Sequence, residues 1–171
     1  MNHTDHTGKA RLRKRLVVEQ SRRPCETQGE VDLCSCAVLN YSSEDPAHPI
    51  DCLIDGSCGQ GGTYWASGRE NVTEQIVLAF DRPQIISRII YEVEESHRER
   101  TQEVHVDVSS DGGSTQRRVV VQEYNFSPTG STFQHEDLRV EFPAVTHLSL
   151  TIVPNKRGSG TATLTCLRLF A

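Results

Sequence analysis

Val104–Thr115 reads VHVDVSSDGGST. Three valines alternate with His105 and Asp107, and the run stops at Ser109, Ser110 and an Asp-Gly-Gly. Strand side chains alternate between faces, so this pattern describes a strand with one apolar and one polar face. Asp111-Gly112-Gly113 supplies residues that accept positive φ, and Val119, Val120 and Val121 resume the apolar texture beyond it. The stretch predicts a β-hairpin.

The same period extends outward in both directions. Ile76, Leu78 and Phe80 alternate with Val77 and Ala79, and Ile85, Ile89, Tyr91 and Val93 share a parity. Asp81-Arg82-Pro83 reads as a break between those two strands, because proline lacks an N–H for the ladder. Leu138, Val140 and Phe142 form a further run, as do Leu148, Leu150 and Ile152. Ala162, Leu164 and Cys166 lead into Leu167 and Leu169. Ser127–Gly130 and Asn155–Gly160 mark longer loops. No window of helical length keeps a 3.6-residue period. About eight short strands over roughly 140 residues suit an all-β sandwich or jelly roll.

The length of 171 residues suits one domain and a tail. Residues 1–30 keep no period and carry KARLRKR at Lys9–Arg15, so they are expected to form a disordered basic tail ahead of a sandwich spanning residues 31–171. A nuclear address, or a patch for an acidic partner, is the sharper reading of that tail. The net charge of −5 argues against broad nucleic-acid binding. No apolar run approaches a membrane span, so membrane insertion is not expected, and no signal peptide precedes the basic run. The expectation is a cytoplasmic chain with unpaired thiols among its six cysteines. Asn2, Asn40, Asn71 and Asn125 each begin an N-x-S/T triplet, which keeps secretion open.

Ile54–Ser67 reads IDGSCGQGGTYWAS. Gly56 and Gly61 have phosphate-loop spacing, but Gly62 stands where the lysine is needed and Thr63-Tyr64-Trp65 favours a strand over a helix. Nucleotide binding is therefore not expected. Cys34-x-Cys36 and Cys52-x5-Cys58 are not paired zinc knuckles, though His48 between them keeps a Cys/His site conceivable. On a strand Cys34 and Cys36 would share a face as small apolar residues, and a disulfide from Cys166 to either needs an oxidising compartment. No nucleophile or zincin motif is present, and the chain is expected not to be an enzyme. The polar loops are more informative. Glu94–Arg100 reads EESHRER, and its His97, Arg98 and Arg100 suit hydroxyl or carboxylate recognition, with a solvated charged loop as the plainer reading. Asn155 and Lys156 make a similar pair in the last loop, and Tyr124 beside Asn125 offers an aromatic face or a core ring.

Taken in order, the blocks resemble a discoidin domain, also called the coagulation factor 5/8 type C domain. The resembling features are Ser42-Ser43, His48-Pro49, Leu53-Ile54-Asp55-Gly56, Thr63-Tyr64-Trp65, the VHVDVSSDGGST hairpin and the closing VTHLSLTIVPNKRGSGTATLTCLRLF, covering about residues 36–171. The resemblance implies an eight-stranded antiparallel jelly-roll β-sandwich of the galactose-binding-like type that binds through loops at one end. It implies a non-catalytic module for carbohydrate, with Arg98 or Arg100 at the family's sugar-binding arginine; Arg98, Arg100 and His97 would then fix sugar hydroxyls, Asn155 and Lys156 would assist, and Tyr124 or Trp65 would supply an aromatic face. The alternative within the family is an intracellular protein-interaction subunit. It also implies a calcium site at Asp55 and Thr63, but the family's late glutamate falls near Leu167 or Arg168 here. A calcium loop and a hydrogen-bonded turn both remain open at that point.

Overall fold

The computed structural model describes residues 28–156 and 159–171, so the basic stretch and Cys25 lie outside the described residues. Eight strands follow in order: β1 (Ala37–Tyr41), β2 (Trp65–Glu70), β3 (Glu74–Glu94), β4 (Arg100–Ser109), β5 (Arg117–Phe126), β6 (Phe133–Val153), β7 (Thr161–Leu164) and β8 (Cys166–Phe170). All pairings are antiparallel. Helical structure among the described residues is confined to two short turns, Leu33–Cys36 and Ile50–Leu53. The first corrects the strand expected at Cys34 and Cys36. Asp32 accepts the Cys34 N–H at 3.2 Å and so caps a turn of helix. Glu30 already bridges to Phe170, so the sheet takes up a residue expected at the end of the tail.

The frame is the pairing of β3 with β6, each 21 residues long. The first part of β3 runs between β1 and the end of β6, in the order β1-β3-β6-β4-β5. Its second part runs between the start of β6 and β8. Register shifts between Ala79 and Arg88 separate the two parts. Here Asp81, Arg82 and Pro83 are exposed and Pro143 lies on the partner strand. The expected break is thus a bend within one strand: irregular pairing and a proline let the ladder turn without ending. The same irregularity reverses the parity expected for Ile85, which is 60% exposed while Ile86 is wholly buried.

Both parts of β3 face one core. Ile76 and Leu78 from the first part cluster with Ile89, Tyr91 and Val93 from the second, and Trp65, Leu148, Leu150, Leu164 and Leu169 complete the interior. This is the antiparallel β-sandwich expected from the period-two runs. The β4–β5 hairpin forms where VHVDVSSDGGST placed it. Gly112 and Gly113 adopt φ of 73° and 88°, and Asp111 accepts the Thr115 N–H at 2.9 Å.

Tyr91 and Tyr124 meet across the core, their hydroxyls 2.8 Å apart. Tyr124 belongs to β5 and not to a loop, and it is 5% exposed. Replacing Tyr124 with Phe strands the Tyr91 hydroxyl in the interior. Urea unfolding is expected to show a loss of about 1–3 kcal/mol for Y124F.

Candidate binding loops at one end of the sandwich

The bend in β3 brings Glu94 back beside the start of β4, and five residues join the two strands. Neighbouring loops are stitched to that connection. Glu95 donates its N–H to Thr132 O at 2.9 Å, and Lys156 donates its N–H to Thr101 O at 3.0 Å. Asn71, at a left-handed φ of 58°, exchanges bonds with Gly160 through its N–H and its Oδ1. Loops from β2, β3, β5 and β6 therefore share one end.

Arg100 lies beneath this rim and is 5% exposed. Its Nη1 donates to Pro154 O at 3.3 Å and Thr161 O at 2.5 Å, and its Nη2 donates to Thr163 Oγ1 at 2.5 Å. Nε lies 3.1 Å from Glu95 Oε2, a charge contact without hydrogen-bond alignment. Gln102, fully buried, donates to Thr163 O at 2.8 Å and accepts the Thr163 N–H at 3.1 Å. These two side chains do for β7 what a neighbouring strand would do, satisfying backbone groups that burial would otherwise penalise. Arg100 is thus a brace within the sandwich and not an exposed contact. Burial depresses its pKa and Glu95 opposes that shift.

The other expected contacts separate. His97 and Arg98 are exposed on the β3–β4 loop, and both their N–H groups go to Glu95 Oε1, at 2.9 and 3.1 Å. One carboxylate therefore shapes the loop and neutralises the brace below it. Asn155 is half-buried, accepting from Thr101 N at 3.4 Å and donating to Ser159 O at 3.2 Å. Lys156 reaches over β4 and β5 to Glu103 at 2.5 Å and to Glu123. Tyr124 is in the core and offers no stacking face.

Two further aromatic residues come together, and neither was named from the sequence as a sugar contact. His48 and Tyr64 stack, with ring centroids 3.9 Å apart and planes at 19°, and both are half-buried. Burial, then Asp45 and Glu95, push the Tyr64 phenol up. Both residues sit in blocks that resemble family landmarks; nothing in their spacing shows that the rings meet.

The glycine loop precedes β2 and packs against the end of β3. Gly59 N–H donates to Glu92 Oε2 at 2.7 Å and Gly61 N–H donates to Glu94 Oε2 at 2.9 Å. Asp55 accepts the Ser57 N–H at 2.7 Å on one oxygen and the Thr63 hydroxyl at 2.6 Å on the other. Leu167 is buried in the core cluster, and Arg168 pairs with Glu30 at 2.7 Å. Calcium takes six to eight oxygens, commonly several from carboxylates. Asp55 with both oxygens engaged, and no carboxylate at Leu167 or Arg168, does not fit such a cradle.

The fold and its loop-bearing end define a class: an antiparallel β-sandwich whose inter-strand loops gather at one end. The F5/8 type C domain model matches residues 38–168, and the chain belongs to that family. No curated protein matches the chain. Solved structures share its fold. A carbohydrate-binding module from a family 31 glycoside hydrolase of Clostridium perfringens superposes with a TM-score of 0.62 at 15% identity, covering 85% of this chain and 96% of that one. A pectin-binding carbohydrate-binding module gives 0.57 at 16% identity, covering 80% and 91%. A further C. perfringens module, in complex with GalNAc-beta-1,3-galactose, gives 0.53 at 22% identity, covering 79% and 95%.

Among the described residues, four carboxyls are held below their ordinary range. Thr115, through its hydroxyl and then its N–H, keeps Asp111 at about 2. Arg88 lowers Asp137, and Lys156 followed by His105 lowers Glu103. At Glu74 burial pushes upward, but bonds from Arg69 and Ser42 outweigh it. Carboxyls depressed in the folded state stabilise it above their unfolded pKa, about 4, and that contribution is lost as pH falls through the folded value. The melting temperature should be level from about pH 7 to 5 and fall steadily from about pH 4 towards 2. Thermal scans across that range check it, and D137N with E103Q should make the fall shallower.

Proposed function

We propose that this domain is a non-catalytic carbohydrate-binding module that recognises galactose-type sugars through the loops at the β3–β4 end. One observation carries the reading: the exposed His97–Arg98 pair is seated on the Glu95 carboxylate, and a Tyr64–His48 ring stack stands half-buried, its phenol raised in part by that same charge. A sugar offers hydroxyl edges and apolar C–H faces. Arg98 supplies a planar fork of donors for hydroxyls, His97 a donor or acceptor, and the aromatic stack a ring surface for the apolar face. Glu95 is 14% exposed at its side chain and anchors the loop, so the backbone that carries His97 and Arg98 is held before a ligand arrives. Membership of the family supports the reading, as do fold neighbours solved in complex with GalNAc-beta-1,3-galactose and with GlcNAc-alpha-1,4-galactose. Calcium is no part of the proposed contact, given the donors around Asp55 and Thr63.

The test is a glycan array followed by calorimetry with galactose and N-acetylgalactosamine, each with calcium and with chelator. Binding is expected in both conditions. R98A and Y64A should each weaken it by about tenfold, the effect of losing a charged hydrogen bond or a ring contact. N155A, whose side chain is tied to Thr101 and Ser159, should change affinity less. No glycan binding at millimolar sugar, together with a stoichiometric protein partner in a pull-down, would overturn the reading in favour of an interaction subunit on the same fold.

A further inference from the structure

Cys58 lies in the glycine loop and Cys166 opens β8, yet their sulfurs approach to 2.6 Å. That separation is well inside ordinary van der Waals contact and within about 0.6 Å of a disulfide bond. Two tertiary features bring it about. Cys166 is the direct cross-strand partner of Glu92 on β3. Glu92, in turn, accepts the N–H of Gly59, the residue after Cys58, at 2.7 Å. Gly56, Gly59 and Gly61 all have positive φ, which lets the loop fold back over the sheet and deliver Cys58 there.

We propose that Cys58 and Cys166 form a reversible redox pair whose disulfide tethers the glycine loop to the first residue of β8. A metal centre is the competing use of these groups, since Cys58, Glu92 and Cys166 present ligand atoms within 4.8 Å of one another. The geometry disfavours it. Two thiolates on a tetrahedral zinc, each at about 2.3 Å, stand roughly 3.8 Å apart. Glu92 has one oxygen on the Gly59 N–H and the other on His135 Nδ1 at 2.8 Å. The carboxylate is committed to holding the loop and the neighbouring strand.

The oxidant is a small disulfide of the glutathione class. Cys58 is half-buried and reachable, whereas Cys166 is 2% exposed and its thiol is pushed up by the Cys58 contact and by burial. The Cys58 thiolate attacks glutathione disulfide, forming a mixed disulfide and releasing one glutathione thiolate. Cys166 then loses its proton and attacks Cys58 Sγ, expelling the second glutathione thiolate. Two thiols are oxidised, one glutathione disulfide is reduced to two thiols, and excess reduced glutathione runs the exchange backwards.

The test equilibrates the full chain in buffers of graded glutathione ratio, followed by alkylation, intact mass and non-reducing peptide mapping. The expected result is a mass lower by two hydrogens, one Cys58–Cys166 cross-linked peptide, and a melting temperature higher by roughly 5–10 °C than the reduced form. C58S should melt like the reduced wild type at every ratio, and its substitution in a half-buried loop leaves the core intact. The proposal fails if both thiols stay alkylatable at the most oxidising ratio, or if Cys166 bridges to another cysteine. It also fails if native mass spectrometry with added zinc sulfate shows one zinc that C58S loses.

Discussion

β3 and β6, each 21 residues long, pair from end to end, and the ladder bends midway instead of ending. Everything functional hangs on that bend. It lets one strand contribute Ile76 and Leu78 to one wall of the core and Tyr91 and Val93 to the other. It also returns Glu94 to the end from which Glu74 set out, so that loops distant in sequence crowd together. Without the bend the β3–β4 connection could not span five residues, and Arg100 could not reach Glu95.

Closing a sandwich this way leaves backbone groups at its seams without strand neighbours. The chain answers with long polar side chains turned inward. Arg100 and Gln102 serve the edge of β7, while Glu74, wholly buried, accepts from Arg69 and Ser42. Each such group needs its full complement of partners, because a buried charge or amide without them costs several kcal/mol (on the order of 2–5). That requirement removes Arg100 from the pool of ligand contacts and leaves His97 and Arg98 in it. The distinction is one of tertiary contact: Arg98 and Arg100 are two residues apart in the same charged stretch, and only one is enclosed.

How much was legible follows the range of the interactions. The hairpin at Val104–Thr115 was legible because alternation and turn chemistry are local. So were most core positions, since a period of two survives as long as the ladder is regular. Ile85 was misassigned because the bulged pairing opposite β6 resets the alternation, and the residues of β3 alone do not announce what β6 does. Tyr124 was read among the loop residues, as an aromatic face or a core ring; pairing with β4 made it a strand residue facing inward. His48 and Tyr64 are sixteen residues apart, and their stacking depends on how the intervening loop folds. The Cys58–Cys166 approach spans more than half the chain and follows from β8 pairing with β3.

The sequence by itself determined the class of structure. Strand alternation, Asp-Gly-Gly at the hairpin and ordered landmark blocks are encoded within a few residues of one another, where backbone sterics and side-chain direction act. Tertiary structure alone decided which polar residues became scaffold and which stayed exposed. It turned Arg100 into a brace, closed Asp55 onto Thr63, and set two cysteines 108 positions apart in contact. The physical reason is that burial and pairing are properties of the assembled layers: the same Arg, Asp or Cys has different chemistry once its neighbours across the sheet are fixed.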